Sequence, residues 1–172
     1  MESTTVKPAP YLSDIHWRTE RPRSLVVCCS DGRLQKSIDD FLHNRMGVDD
    51  YDRLYAPGGP AVLADSGSEY VRANMYRRDL EFLFKAHRIE QILLIFHGAA
   101  DDGPKDGGCA HYVRMMPGAT HADMYRRQAA DAAEVLRYIA SVAPGLEVQV
   151  YRAEVQADLR VKFLNLAETI RP

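Results

Sequence analysis

A chain of 172 residues suffices for one ordinary domain and is too short for two full ones; folded, it buries roughly 70% of the surface it exposes unfolded. Apolar residues at 46% and charged residues at 27% match soluble globular chains and exclude extensive disorder. With 22 basic against 24 acidic side chains the net charge is −2, which leaves no basic footprint for nucleic acid or an anionic membrane.

Residues 1–23, rich in proline and polar side chains, read as an N-terminal arm leading into a single α/β domain over 24–172. The arm lacks the apolar core of a secretory signal, and no stretch approaches the ~18 apolar residues of a membrane span. From Ser24 strand and helix alternate. SLVVCC (Ser24 to Cys29) is a β-branched apolar run suited to a strand covered on both faces. Leu34, Ile38, Phe41, Leu42 and Arg45 follow helical spacing, with Gly47 placed to end the helix. YDRLYAP (Tyr51 to Pro57) predicts a second strand, closed by the turn Pro57-Gly58-Gly59-Pro60. Ser66 and Glu69 have the spacing of a capping box, opening a helix with a buried stripe of Tyr76, Leu80, Leu83 and Phe84. QILLIF (Gln91 to Phe96) reads as a buried strand, and Tyr125, Ala129, Ala132, Leu136 and Ile139 as a helix stopped at Pro144-Gly145. LEVQVYRAEV and LRVKFLNL predict two last strands, one of them pairing antiparallel near an edge. The expected architecture is a mostly parallel sheet flanked by helices, with an antiparallel edge strand.

In such sheets ligands sit beyond the carboxyl ends of the strands. The first strand ends in Cys28-Cys29-Ser30-Asp31-Gly32-Arg33, and the third runs into Phe96-His97-Gly98, followed by a loop and Cys109-Ala110-His111-Tyr112. Three cysteines, two of them adjacent, do not make a disulfide framework. Free thiols with no export signal point to the cytoplasm, where thiols stay reduced. Cys28 and Cys29 face opposite sides of the strand, so Cys28 reads as core. Two thiols and an imidazole at neighbouring strand ends are the ingredients of a Cys₂His zinc site with an open fourth position, the catalytic rather than structural arrangement. Spacing alone does not choose between ligands and buried fillers, because Cys29 and His97 stand 68 positions apart.

Cys29-Ser30-Asp31-Gly32-Arg33 resembles the Cys-x-Asp-x-Arg motif of the β-class carbonic anhydrases. His97 and Cys109 match the histidine and second cysteine of that family in order and setting, and Tyr112 resembles the ending Cys-Gly-Ala-Tyr of some divergent relatives. Eleven residues, 98–108, separate His97 from Cys109 where the family has two, and Ala110 stands where the family has glycine. The resemblance implies zinc on Cys29, His97 and Cys109, and reversible hydration of CO₂ to bicarbonate by a zinc-bound hydroxide. It further implies Asp31 as acceptor of a hydrogen bond from that hydroxide, with Arg33 pairing to Asp31. Gly58 and Gly59 would flank the substrate pocket, with His111 as the candidate proton carrier. Homodimers or larger homo-oligomers are implied as well.

Two alternatives stay beside this reading: hydrolysis of a related small molecule such as COS or CS₂, and a non-catalytic zinc protein of the same fold. A cysteine phosphatase is disfavoured, because Arg33 follows Cys28 and Cys29 too closely for an anion-cradling loop, and Asp31 would repel the anion. His16, His43, His87 and His121 read as solvated. Asp101, Asp102 and Asp106 lack EF-hand spacing.

Overall fold

A computed structural model describes residues 10–166. Five strands form one sheet in the order β2-β1-β3-β4-β5: β1 (Ser24–Cys29), β2 (Asp52–Ala56), β3 (Gln91–Ala99), β4 (Glu147–Val155) and β5 (Val161–Asn165). The β1–β2, β1–β3 and β3–β4 pairs are parallel, and β5 returns antiparallel to β4. The mostly parallel α/β expectation holds, edge strand included. From β1 the chain steps outward to β2, then crosses back to β3 and continues the other way. The switch in direction lies between β1 and β3, which is where open parallel sheets leave a crevice at their carboxyl ends.

Alternation along the buried strands sends successive side chains to opposite faces. Leu25, Val27, Ile92, Leu94 and Val150 face Leu80 of α2 (Tyr70–His87) and Ala132, Val135 and Ile139 of α4 (His121–Val142). Val26, Cys28, Leu93 and Ile95 face Ile38 of α1 (Gln35–Asp40) and its continuation, Phe41 and Leu42. Each fully buried aliphatic side chain contributes about 1.5–3 kcal/mol.

The helices depart from the sequence expectation in three places. The helix after β1 is α-helical only to Asp40 and widens into a π-helical turn over Phe41–Arg45, with Gly47 at φ 67° beyond it. The Ser66 capping box does not form: α2 begins at Tyr70 behind Glu69, with no side-chain cap. Ser66 Oγ instead donates to Asp131 and Glu134 of α4, at 3.1 and 2.5 Å. A box of the same pattern does close at the start of α4, where Thr120 and Asp123 satisfy one another's backbone N–H groups. A short helix, α3 (Ala110–Met115), had no strong signal in the sequence.

Before β1, residues 10–23 form neither helix nor strand, and Tyr11, Leu12, Ile15 and Trp17 are 85–90% exposed. Residues 1–9 of the expected arm lie outside the described residues. Among the described residues no helix is long and apolar enough to cross a membrane.

Candidate metal centre

Cys29 is the last residue of β1, and β3 outruns β1: their pairing ends at Cys28–Ile95, while β3 continues beside β4 to Ala99. His97 therefore sits within β3 rather than at its end. By alternation it shares the α1 face with Leu93 and Ile95, whereas Cys29 belongs to the opposite face with Leu25 and Val27. The two side chains meet only because β1 stops and leaves the crevice open.

Cys109 arrives from the excursion after β3. Ala100 N donates to Val155 O at 3.0 Å, a turn closes from Gly103 N to Ala100 O at 2.9 Å, and a single 3₁₀ turn over Lys105–Gly107 leads back. A Cβ on Gly103 would lie 2.3 Å from Val155 O, so the turn needs glycine to lie against β4. Loop-closure entropy rises only as the logarithm of length, so eleven residues in place of two cost about 1.5 kcal/mol more. Cys109 then stands at the N-cap of α3.

The ligand atoms of Cys29, His97 and Cys109 all lie within 4.8 Å of one another, and all three residues are buried. In a tetrahedral zinc site, with Zn–S ~2.3 Å and Zn–N ~2.0 Å, ligand atoms stand roughly 3.5–3.8 Å apart, so the cluster closes on an ion through shifts of about an ångström. His97 is 3% exposed, and neither of its ring nitrogens has a hydrogen-bond partner among the described residues. A buried imidazole with both nitrogens orphaned is costly unless something else engages one of them. The Cys109 thiol beside it, and then the nearby His97 ring, pull the Cys29 thiol down, and the same neighbour with burial pushes Cys109 up. A site that already favours one thiolate suits a cation. Burial instead pushes the Cys28 thiol up to about 12, and its side chain packs with the α1 face.

Asp31 and Arg33 form the expected fork: Arg33 Nη2 and Nε donate to Asp31 Oδ2 at 2.7 and 3.2 Å, and Nε and the backbone N–H reach Oδ1 at 3.0 and 3.1 Å. Those bonds from Arg33 hold the carboxyl down to about 2. Arg33 Nη1 also reaches Asp106 of the excursion at 3.4 Å, tying the inserted segment to the motif. Asp31, Arg33 and His97 line a cavity of about 300 Å³ whose remaining wall includes Leu34, Pro104, Val155, Leu159 and Val161. Sequence reasoning missed Val155, Leu159 and Val161, because the hairpin between β4 and β5 lies far from every motif.

Gly58, Gly59 and His111 are not among the residues lining that cavity. Gly59, at φ 59°, lies under β1, where a Cβ would come within 2.9 Å of Cys29 N. Gly58, at φ 96°, faces the His111 ring, and His111 Nε2 is 2.8 Å from Gly67 O. His43 and His87 pair with Asp49 and Asp52.

No family model and no curated protein matches the chain. Among solved structures it is similar to a β-carbonic anhydrase of Aspergillus fumigatus, at 15% identity and TM-score 0.48 over 89% of this chain and 78% of that one. It is similar to a β-carbonic anhydrase of Trichomonas vaginalis, at 14% identity and TM-score 0.47 over 91% and 88%. It is similar also to the apo form of a carbon disulfide hydrolase, at 12% identity and TM-score 0.41 over 83% and 78%. The chain is thus similar to β-carbonic anhydrases, and the case for its metal centre stands on its own Cys29, His97 and Cys109.

Proposed function

We propose that the protein is a zinc enzyme that interconverts CO₂ and bicarbonate. The observation that carries this reading is the convergence of Cys29, His97 and Cys109 beside a cavity that also holds the Asp31–Arg33 pair. Cys29, His97 and Cys109 would hold the zinc, which when bound would supply a water-derived nucleophile at neutral pH. Asp31, kept ionised by Arg33, accepts hydrogen bonds and donates none. It therefore orients a proton-bearing nucleophile so that a lone pair faces the substrate. Arg33 fixes the carboxylate through its fork and spans toward Asp106. Leu34, Val155 and Val161 offer an uncharged carbon electrophile an apolar resting place.

That apolar wall also favours a second substrate of the same class, COS or CS₂, whose attack by the same nucleophile gives sulfide. The thiols are free, as a reducing cytoplasm would keep them. Exposed Tyr11, Leu12, Ile15 and Trp17 support a homo-oligomer in which another copy covers the arm. Metal analysis with stopped-flow CO₂ hydration, and sulfide release from COS or CS₂, tests the reading. Expected are about one zinc per chain and zinc-dependent turnover of one of these substrates. Protein purified without stoichiometric zinc would remove the mechanism, and a zinc-loaded protein inert toward all of them would leave the non-catalytic alternative. Light scattering on the purified protein tests the oligomer.

A further inference from the structure

Helix α4 carries two buried polar side chains one turn apart, Gln128 and Asp131, 1% and 0% exposed. Packing does not require them, since apolar residues would bury at less cost. Each instead bonds a segment that carries one of the candidate ligands. Gln128 Nε2 donates to the backbone carbonyl of His97 at 2.8 Å, and its Oε1 accepts from Arg152 Nε at 2.8 Å. Arg152 can only donate, so it dictates which way the amide points. Arg152 is itself anchored: Nη2 donates to Ala99 O at 3.2 Å, Glu154 pairs with Nη1, and the Tyr125 ring lies 5.2 Å away. Gly98 makes room for it, since a Cβ there would fall 2.4 Å from Nη2.

Asp131 does the corresponding work on the other ligand. Tyr112 Oη donates to it at 2.7 Å, and Ser66 Oγ and Arg127 Nε donate at 3.1 and 2.8 Å. Tyr112 lies on the first turn of α3, three residues after Cys109, and is 1% exposed. Fixing its hydroxyl fixes the helix that presents Cys109.

We propose that Gln128 and Asp131 are positioning residues of the metal centre, through which one helix sets the strand bearing His97 and the helix bearing Cys109 at a common distance. The eleven-residue excursion is pinned to β4 at Ala100 and reaches Arg33 through Asp106; α4 adds a bond to each of the two segments that bear His97 and Cys109. The proposal rests on the metal-site reading above. It concerns affinity and geometry, which are measured without turnover, so an inert wild type would remove catalysis alone.

Two conservative variants test it. Gln128→Glu keeps the size and the Arg152 contact but cannot donate to the His97 carbonyl. Tyr112→Phe deletes one hydroxyl and leaves Asp131 its Ser66 and Arg127 donors. Zinc affinity is read by competition with a chromophoric chelator, site geometry by the absorption bands of the cobalt(II)-substituted protein, and folding by the melting temperature of the metal-free chain. Each variant should lose about 10–100-fold in zinc affinity and shift the cobalt bands, including when affinity is corrected for any change in melting temperature. Affinities within threefold of wild type with unchanged cobalt spectra would overturn the proposal. So would a loss fully accounted for by destabilisation of the metal-free fold. Should Gln128→Glu fail to fold, Tyr112→Phe decides alone.

Discussion

On the α1 face of the sheet, Val26, Cys28, Leu93 and Ile95 meet Ile38, Phe41 and Leu42, and Phe41 stacks on Phe163 with ring centroids 4.1 Å apart. On the opposite face the strands carry similar aliphatic residues, but α4 adds Gln128 and Asp131, and β4 adds Arg152, all buried and all hydrogen-bonded. The first face is held mainly by shape, with partly buried bonds at its margin such as Gln35 Nε2 donating to Cys29 O at 2.9 Å, and the second also by bonds from fully buried side chains. The candidate metal centre draws Cys29 from the second and, by strand alternation, His97 from the first, at the one edge where they meet. Packing can place a strand; bringing a sulfur and a nitrogen within ligand distance takes groups with direction.

Substitutions on the two faces should therefore fail differently. Cys29→Ser and Cys109→Ser should give the largest effect, with zinc content falling from about one per chain to near zero and turnover lost with it; metal analysis after gel filtration checks this. Next is Asp31→Asn, which should keep its zinc and lose about 100-fold or more in CO₂ hydration rate. Unchanged stopped-flow rates would remove Asp31 from the site. Phe41→Ala empties part of the α1 face and should cost about 3–5 kcal/mol in urea denaturation of the metal-free protein, with zinc affinity of the folded chain unaltered. The smallest change belongs to Cys28→Ala: on the order of 1 kcal/mol of stability and normal zinc stoichiometry. Loss of zinc in either of these last two variants would break the distinction between the faces.

The strands were readable because SLVVCC and QILLIF are apolar runs of a length only buried strands favour, and their order followed from the helices between them. What failed, failed through long-range competition. Ser66 and Glu69 have the spacing of a capping box, yet the Ser66 hydroxyl finds Asp131 and Glu134, 65 and 68 residues later, and α2 starts without it. Thr120 and Asp123 carry the same pattern with no such competitor and close their box. At the site, Cys29, Asp31 and Arg33 were visible through a compact motif. Gln128 and Asp131 were not, because nothing local marks them: each is a polar residue on a helix, and only the folded chain shows that it is buried. The hairpin residues Leu159 and Val161 escaped for the same reason, since only the sheet brings them to the cavity.

The overrun of β3 past β1 also bears on the order of events in folding. Cys29 lies on the first strand, while His97 and Cys109 follow only after β2, α2 and the crossover back to β3. Their meeting is a contact of long sequence range, which comes late when loop closure must precede it. An ion clasped there would have little to hold in the folding transition state and everything to hold in the finished fold. Zinc should then act as a brake on unfolding, leaving the folding rate nearly untouched.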